Sequence, residues 1–231
     1  MSQMNSHAFQ DVAAMDAPVA EKAAFLQRTY SLLLAGILAF AATLWAAGSV
    51  PVVASMARGL WSMGWIGCML VIMGGGYAVR ALASKTPINL IAYFAYVFLF
   101  GLLLAPLVLF AAQMEGVLSQ ASMVTALVFT GLTGYVFISG KDFSFIGGIC
   151  SIGCMALLGC LLAGWLFGFD LGLWFSVLGV LIFSGMVLYD TSRVLHHYPT
   201  TAHVRAAIEL FVSLIILFQY VVMMLVNLNR D

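Results

Sequence analysis

The stretch from Met186 to Arg193 reads Met-Val-Leu-Tyr-Asp-Thr-Ser-Arg and puts a carboxylate, Asp190, at the end of an apolar run that begins at Leu171. An ionised side chain at lipid depth costs about 2.5–3.5 kcal/mol at a helix centre and less toward an end, so such a residue calls for a partner and a role. Other ionisable groups collect at the ends of neighbouring runs: Arg80 closes one, Arg193 follows Asp190, and Arg205 and Glu209 open the last. A single loop, 191 to 205, joins the two runs that carry Asp190 and Glu209, so the two carboxylates start on adjacent antiparallel elements and can meet. A carboxylate pair of that kind titrates as a unit, and an arginine beside it tunes the response. The chemistry on offer is a pH-sensitive latch or gate, with Asp190, Glu209 and Arg80 as its candidate residues. Interface charges reaching back to water are the plainer account of Glu209 and Arg193, and Arg80 and Arg205 could simply enforce the topology. His196, His197 and His203 share one loop and could sense pH or bind a metal, but read more simply as solvated loop residues, and Lys141-Asp142 reads as a charged turn.

The elements that position these groups follow from composition. Only 8% of the 231 residues are charged and 64% are apolar, too few polar groups to cover a water-soluble surface. The chain is therefore expected to be an all-α polytopic membrane protein, with the lipid bilayer as its surroundings. Nine basic residues balance nine acidic ones, so no net positive field draws nucleic acid, which is set aside. Apolar runs at about 29–50, 60–79, 88–111, 119–139, 144–168, 171–190 and 206–226 are each long enough to cross the hydrocarbon core as a helix. That predicts seven spans, the fifth and sixth parted only by Gly168, Phe169 and Asp170.

Residues 1–24 read as a loose cytoplasmic tail and 25–231 as the membrane domain. With the N-terminus inside, Lys22, Arg28, Arg80, Lys85, Lys141, Arg193 and Arg205 fall on the cytoplasmic side, and Arg58 and Arg230 outside. Cytoplasmic loops carry the excess of basic residues, which favours this orientation and an external C-terminus. Trp45, Trp61, Trp65, Trp165 and Trp174 then all lie near external span ends, where tryptophan prefers to sit. Ala156, Cys160, Gly164 and Gly168 recur every fourth residue and are expected to let a neighbouring helix approach. Pro106 is expected to kink the third span. Cys68, Cys150, Cys154 and Cys160 form no CxxC pair and read as packing residues, so neither a metal site nor a cofactor is expected.

At this point the chain resembles the Bax inhibitor-1 family, in particular its bacterial YccA branch. The matching stretches are Gly134-Tyr135, Gly140-Lys141-Asp142-Phe143-Ser144-Phe145-Ile146-Gly147-Gly148, Tyr189-Asp190-Thr191-Ser192 and Phe211-Val212-Ser213-Leu214, with Asn89 to Pro106 in the third span. The resemblance implies a seven-transmembrane-helix bundle, six helices around a central seventh, in a bacterial inner membrane. Its calcium-leak members use two aspartates, one in each of the last two helices, as a proton-sensitive gate. Asp190 matches the first position and Ser213 occupies the second. Glu209 lies one turn before Ser213 on the same helix face and is a candidate replacement for the missing carboxylate.

The resemblance also implies a partner. The YccA branch, which carries serine at the second position, modulates the FtsH membrane protease as a slowly degraded, competing substrate. A tail over residues 1–24 would give such a protease its grip, and removing residues 1–20 is expected to abolish the competition. The alternative is a pH-gated calcium or cation leak with Asp190 in the gate. An enzyme is not expected. Tyr189-Asp190 resembles half of an intramembrane aspartyl protease site, but a second Gly-x-Gly-Asp is absent from the sequence.

Overall fold

A computed structural model describes residues 14, 17–83, 87–168 and 170–230. Most of the stretch read as a tail, together with Lys85, Phe169 and the Trp65 side chain, lies outside the described residues. Among the described residues the regular structure is helical: α1 (Val19–Ser49), α2 (Pro51–Ser62), α3 (Gly64–Leu82), α4 (Ile88–Ala111), α5 (Val117–Ser139), α6 (Ile146–Phe167), α7 (Gly172–His196) and α8 (His203–Leu228). Six of these are long and apolar enough to cross a membrane, and α2 with α3 makes a seventh if that bent pair counts as one span. The chain is thus a polytopic helical membrane protein. Burial is greatest in the last helix, where 61% of the apolar window is enclosed, against 17% in α6.

Several boundaries differ from those expected. α1 begins at Val19, so the last six residues of the stretch read as tail are helical. Its buried residues, Phe25, Thr29, Leu33, Gly36, Phe40, Thr43 and Ala47, recur every three or four positions as one inward stripe. The second span is not one straight run over 60–79. Val50 is extended, as a residue before proline prefers, and Pro51 starts α2 at a position where its missing N–H costs nothing. Met63 ends that helix, and Gly64 restarts the chain with φ 76°, a left-handed conformation that glycine adopts freely. The axis turns by 107° there.

The chain folds into two compact units, residues 1–110 with 198–211, and residues 111–197 with 212–231. In the first, Phe211 is met edge-on by Phe40, Tyr93 and Phe100, at centroid distances of 6.2, 6.1 and 6.2 Å. Edge-to-face contact of this kind adds to simple packing. The Tyr93 hydroxyl donates to the Leu32 carbonyl at 3.0 Å, which holds α4 on α1. α4 continues through Pro106, and the Trp61 indole N–H donates to the Leu103 carbonyl in the turn the proline disturbs, at 3.0 Å.

In the second unit α7 packs on both α5 and α6. Tyr220 of α8 stacks on Phe183 at 5.3 Å and touches Phe175 at 5.8 Å, with its ring against Gly179. The small-residue stripe expected to carry α6 packing does not do so: Ala156, Cys160 and Gly168 are exposed. The close approach uses Gly147 against Tyr189, Gly153 against Ile182, and Cys150 against Gly185. The bulky residues of α7 select the glycines that face them, and a fourfold spacing alone does not say which face that is. The break between the fifth and sixth spans is present, with Gly168 at φ 69° and Gly172 at φ 63° around it.

Candidate functional site

Asp190 lies near the end of α7, 5% exposed, and Ser213 lies on α8, 3% exposed, both in the second unit. The Ser213 hydroxyl donates a hydrogen bond to Asp190 Oδ2. Val187, Thr191, Ser192, Val194 and Leu195, on the turns either side of Asp190 in the same helix, are also buried. That burial explains why α7 does not stop at 190 as expected. Residues 191–196 are helical, and with α8 starting at His203 the connecting loop shrinks to 197–202. The Thr191 hydroxyl is buried with no hydrogen-bond partner among the described residues.

Two residues beyond Asp190, Ser192 opens a second polar cluster. Its hydroxyl donates to Asp142 Oδ1 at 3.1 Å and accepts the Phe143 amide at 2.8 Å. Asp142 Oδ1 also accepts the Ser144 amide at 2.9 Å, a local turn that closes the carboxylate over its own backbone. His197 Nε2 lies 3.0 Å from Asp142 Oδ2. His196 places Nδ1 2.9 Å from the Ser192 carbonyl oxygen and Nε2 3.3 Å from that of Gly140. Asp142 is therefore the hub that fastens the α5–α6 loop to the end of α7, not merely a charged turn. His196 and His197, read as solvated loop residues, are part of the same cluster. Sequence reasoning did not join these residues; its advance signs were the histidines after Asp190, readable as pH sensors, and the place of Gly140–Ser144 in the motif that carries the family resemblance.

The ionisation of Asp142 follows from these contacts. Slight burial raises its pKa, but the hydrogen bonds from the Ser144 amide and hydroxyl, Ser192 and His197 outweigh it and hold the group at about 2, below its ordinary 3.8. A depressed carboxylate stabilises the fold above its ordinary value, and that contribution is lost as pH falls through about 2. Asp142→Asn is accordingly expected to flatten the acid limb of the stability–pH profile below pH 3.8, as read by unfolding at successive pH values. The effect is expected to be small, because the carboxylate side chain is 41% exposed.

In the first unit Arg80 of α3 and Glu209 of α8 form a two-pronged ion pair, Nε to Oε1 at 3.0 Å and Nη2 to Oε2 at 3.1 Å. Glu209 is 14% exposed on its side chain and Arg80 42%. The planar guanidinium matches both carboxylate oxygens, so the pair fixes geometry more than it adds energy. Of the candidate residues, the structure joins Asp190 with Ser213 and Arg80 with Glu209, and each carboxylate has a partner within its own unit. Among the described residues no group of three His, Cys, Asp or Glu side chains is placed to hold a metal ion.

Comparison with known proteins places the chain among membrane-protein relatives. The family described as "Inhibitor of apoptosis-promoting Bax1" matches residues 22–231. The "Modulator of FtsH protease YccA" of Escherichia coli K12 is 32% identical over 169 residues, covering 71% of this chain and 77% of that protein. An uncharacterized membrane protein of Vibrio cholerae is 28% identical over 210 residues, 89% of this chain and 90% of the relative. "Protein lifeguard 4" of the mouse is 32% identical over 148 residues, 62% of this chain and 60% of that protein.

Proposed function

This chain belongs to the Bax inhibitor-1 family, and from that premise we propose that it modulates an FtsH-type membrane protease as a slowly degraded, competing substrate. The carrying observation is its 32% identity to a protein named as a modulator of FtsH, over 77% of that protein's length. Ser213, bonded to Asp190, adds support, because the resemblance to the YccA branch implies a serine at this position. In this reading the protein lies in a bacterial inner membrane with its N-terminus in the cytoplasm, where the excess of basic residues would also lie. It needs no catalytic residue of its own. Residues 1–13, which precede the contact of the Ala14 amide with the Tyr198 carbonyl at 2.9 Å, would be the protease's handle.

The test is competition. Removing residues 1–13 is expected to abolish the protection that excess protein gives a second FtsH substrate, while the membrane domain keeps its thermal stability. Undiminished protection by the truncated protein would sink the reading.

A second reading is favoured by the buried Asp190–Ser213 couple, a polar contact inside a helical membrane protein. It is a pH-gated calcium or cation leak with Asp190 in the gate, Ser213 its immediate partner, and the Arg80–Glu209 pair a second ionic latch. Calcium flux into liposomes across a pH series separates the two. A leak requires flux that Asp190→Asn and Glu209→Gln both change; no flux above empty liposomes leaves the protease reading alone.

A further inference from the structure

We propose that His196 and His197 form a proton-operated clasp that fastens the Gly140–Ser144 loop to the C-terminal end of α7. Both ring nitrogens of His196 face carbonyl oxygens, Ser192 at 2.9 Å and Gly140 at 3.3 Å. A carbonyl only accepts, and a neutral imidazole carries one N–H, so the two bonds exist together only in the imidazolium. His197 Nε2 stands 3.0 Å from Asp142 Oδ2, a contact that protonation turns from a hydrogen bond between a neutral ring and a carboxylate into an ion pair. At His196 the second proton lets the ring hold its own helix and the loop at once, and at His197 it adds a charge attraction to the loop.

The surrounding charges set the balance. On the loop, Asp142 favours the protonated histidines and Lys141, next to it, opposes them. On α7, Arg193 also opposes, but its guanidinium is drawn over the Tyr189 ring, 5.3 Å from the centroid. From α5, Tyr135 packs on Phe143 at 5.6 Å and adds a neutral ring. The last carbonyls of α7 carry the negative end of the helix dipole and favour a cation at its final turn. The clasp closes on acidification because two carbonyls and a carboxylate face the two rings.

The clasp has a direct line to the buried couple. Ser192, bonded to both Asp142 and Phe143, lies two residues past Asp190 on the same helix. Tightening the loop steadies the turn that carries Asp190. The clasp depends on neither functional reading, and its test uses neither flux nor proteolysis.

The Phe143 and Ser144 amides report the clasp, since one donates to Ser192 Oγ and the other to Asp142 Oδ1. Their hydrogen-exchange protection would be measured on the full chain in nanodiscs, corrected for the intrinsic pH dependence of exchange, from about pH 8 to about pH 5, where imidazole changes charge. Protection is expected to rise severalfold, to about tenfold, on acidification, the scale of one gained charge-assisted bond. The His196→Gln, His197→Gln double variant is expected to lose that rise. A flat profile in the parent, or a rise that persists in the double variant, overturns the proposal. Should the double variant fail to fold, the ¹⁵N shifts of the His196 ring in the parent decide: both nitrogens protonated where protection rises supports the clasp, and a singly protonated ring throughout overturns it.

Discussion

Ser213→Ala is expected to destabilise the protein by about 1–3 kcal/mol, the range for removing one partner of a buried polar pair. Ser213 and Asp190 are 3% and 5% exposed, so water does not readily take the place of the lost hydroxyl. Asp190→Asn is expected to cost less, because its amide oxygen can still accept from Ser213. Replacing both residues, as D190L with S213A, removes the donor and the acceptor together and is expected to be no worse than Ser213→Ala alone. Thermal unfolding of the parent, Ser213→Ala, D190L and the double variant in one detergent makes the cycle, with Asp190→Asn measured beside it. Equal stability of Ser213→Ala and the parent would mean that the hydroxyl does not support the carboxylate.

The class and most helices were legible because they depend on properties that survive without coordinates. Charge content fixed the solvent, and runs of about 20 apolar residues fixed the spans. What stayed hidden hangs on single backbone angles or on contacts far apart in sequence. The turn between α2 and α3 rests on Gly64, one glycine among 22, and no spacing rule distinguishes it. The extension of α7 past Asp190 was hidden because Thr191 and Ser192 look like loop residues but are fully buried. Asp142 could not be recognised as a hub because Ser192 and His197, its partners, are some fifty residues away and polar for reasons a loop would equally supply.

The candidate residues fall between these cases. Arg80, Asp190 and Glu209 could be picked out because ionisable groups at span ends are costly, and cost is visible in sequence. Their pairing was not visible. The guanidinium fork takes both oxygens of Glu209, and Ser213, noticed as a departure from a two-aspartate pattern, donates directly to Asp190. A hydroxyl at that place maintains a hydrogen bond without bringing in a second charge. The clasp, a few residues further along the same helix, adds titratable groups next to a couple that carries only one.

Gly147→Val is expected to destabilise the protein by about 1–3 kcal/mol, while Gly148→Val, one residue on, is expected to be neutral or slightly stabilising. Both glycines lie in the first turn of α6, so helix propensity acts on them alike and slightly favours valine over glycine. They differ in what a side chain would meet. A Cβ at Gly147 would run into the Tyr189 ring, whereas nothing lies within 4 Å of one at Gly148. The ring is not free to retreat, since Arg193 covers it and its own helix packs on α6. Relief therefore means parting α6 from α7, which also moves Tyr189's neighbour Asp190 and strains the loop held by Asp142. Unfolding midpoints for the two variants, with exchange at the Phe143 and Ser144 amides, read both consequences. Equal effects at the two positions would show that propensity, not the Tyr189 contact, sets the tolerance of this turn.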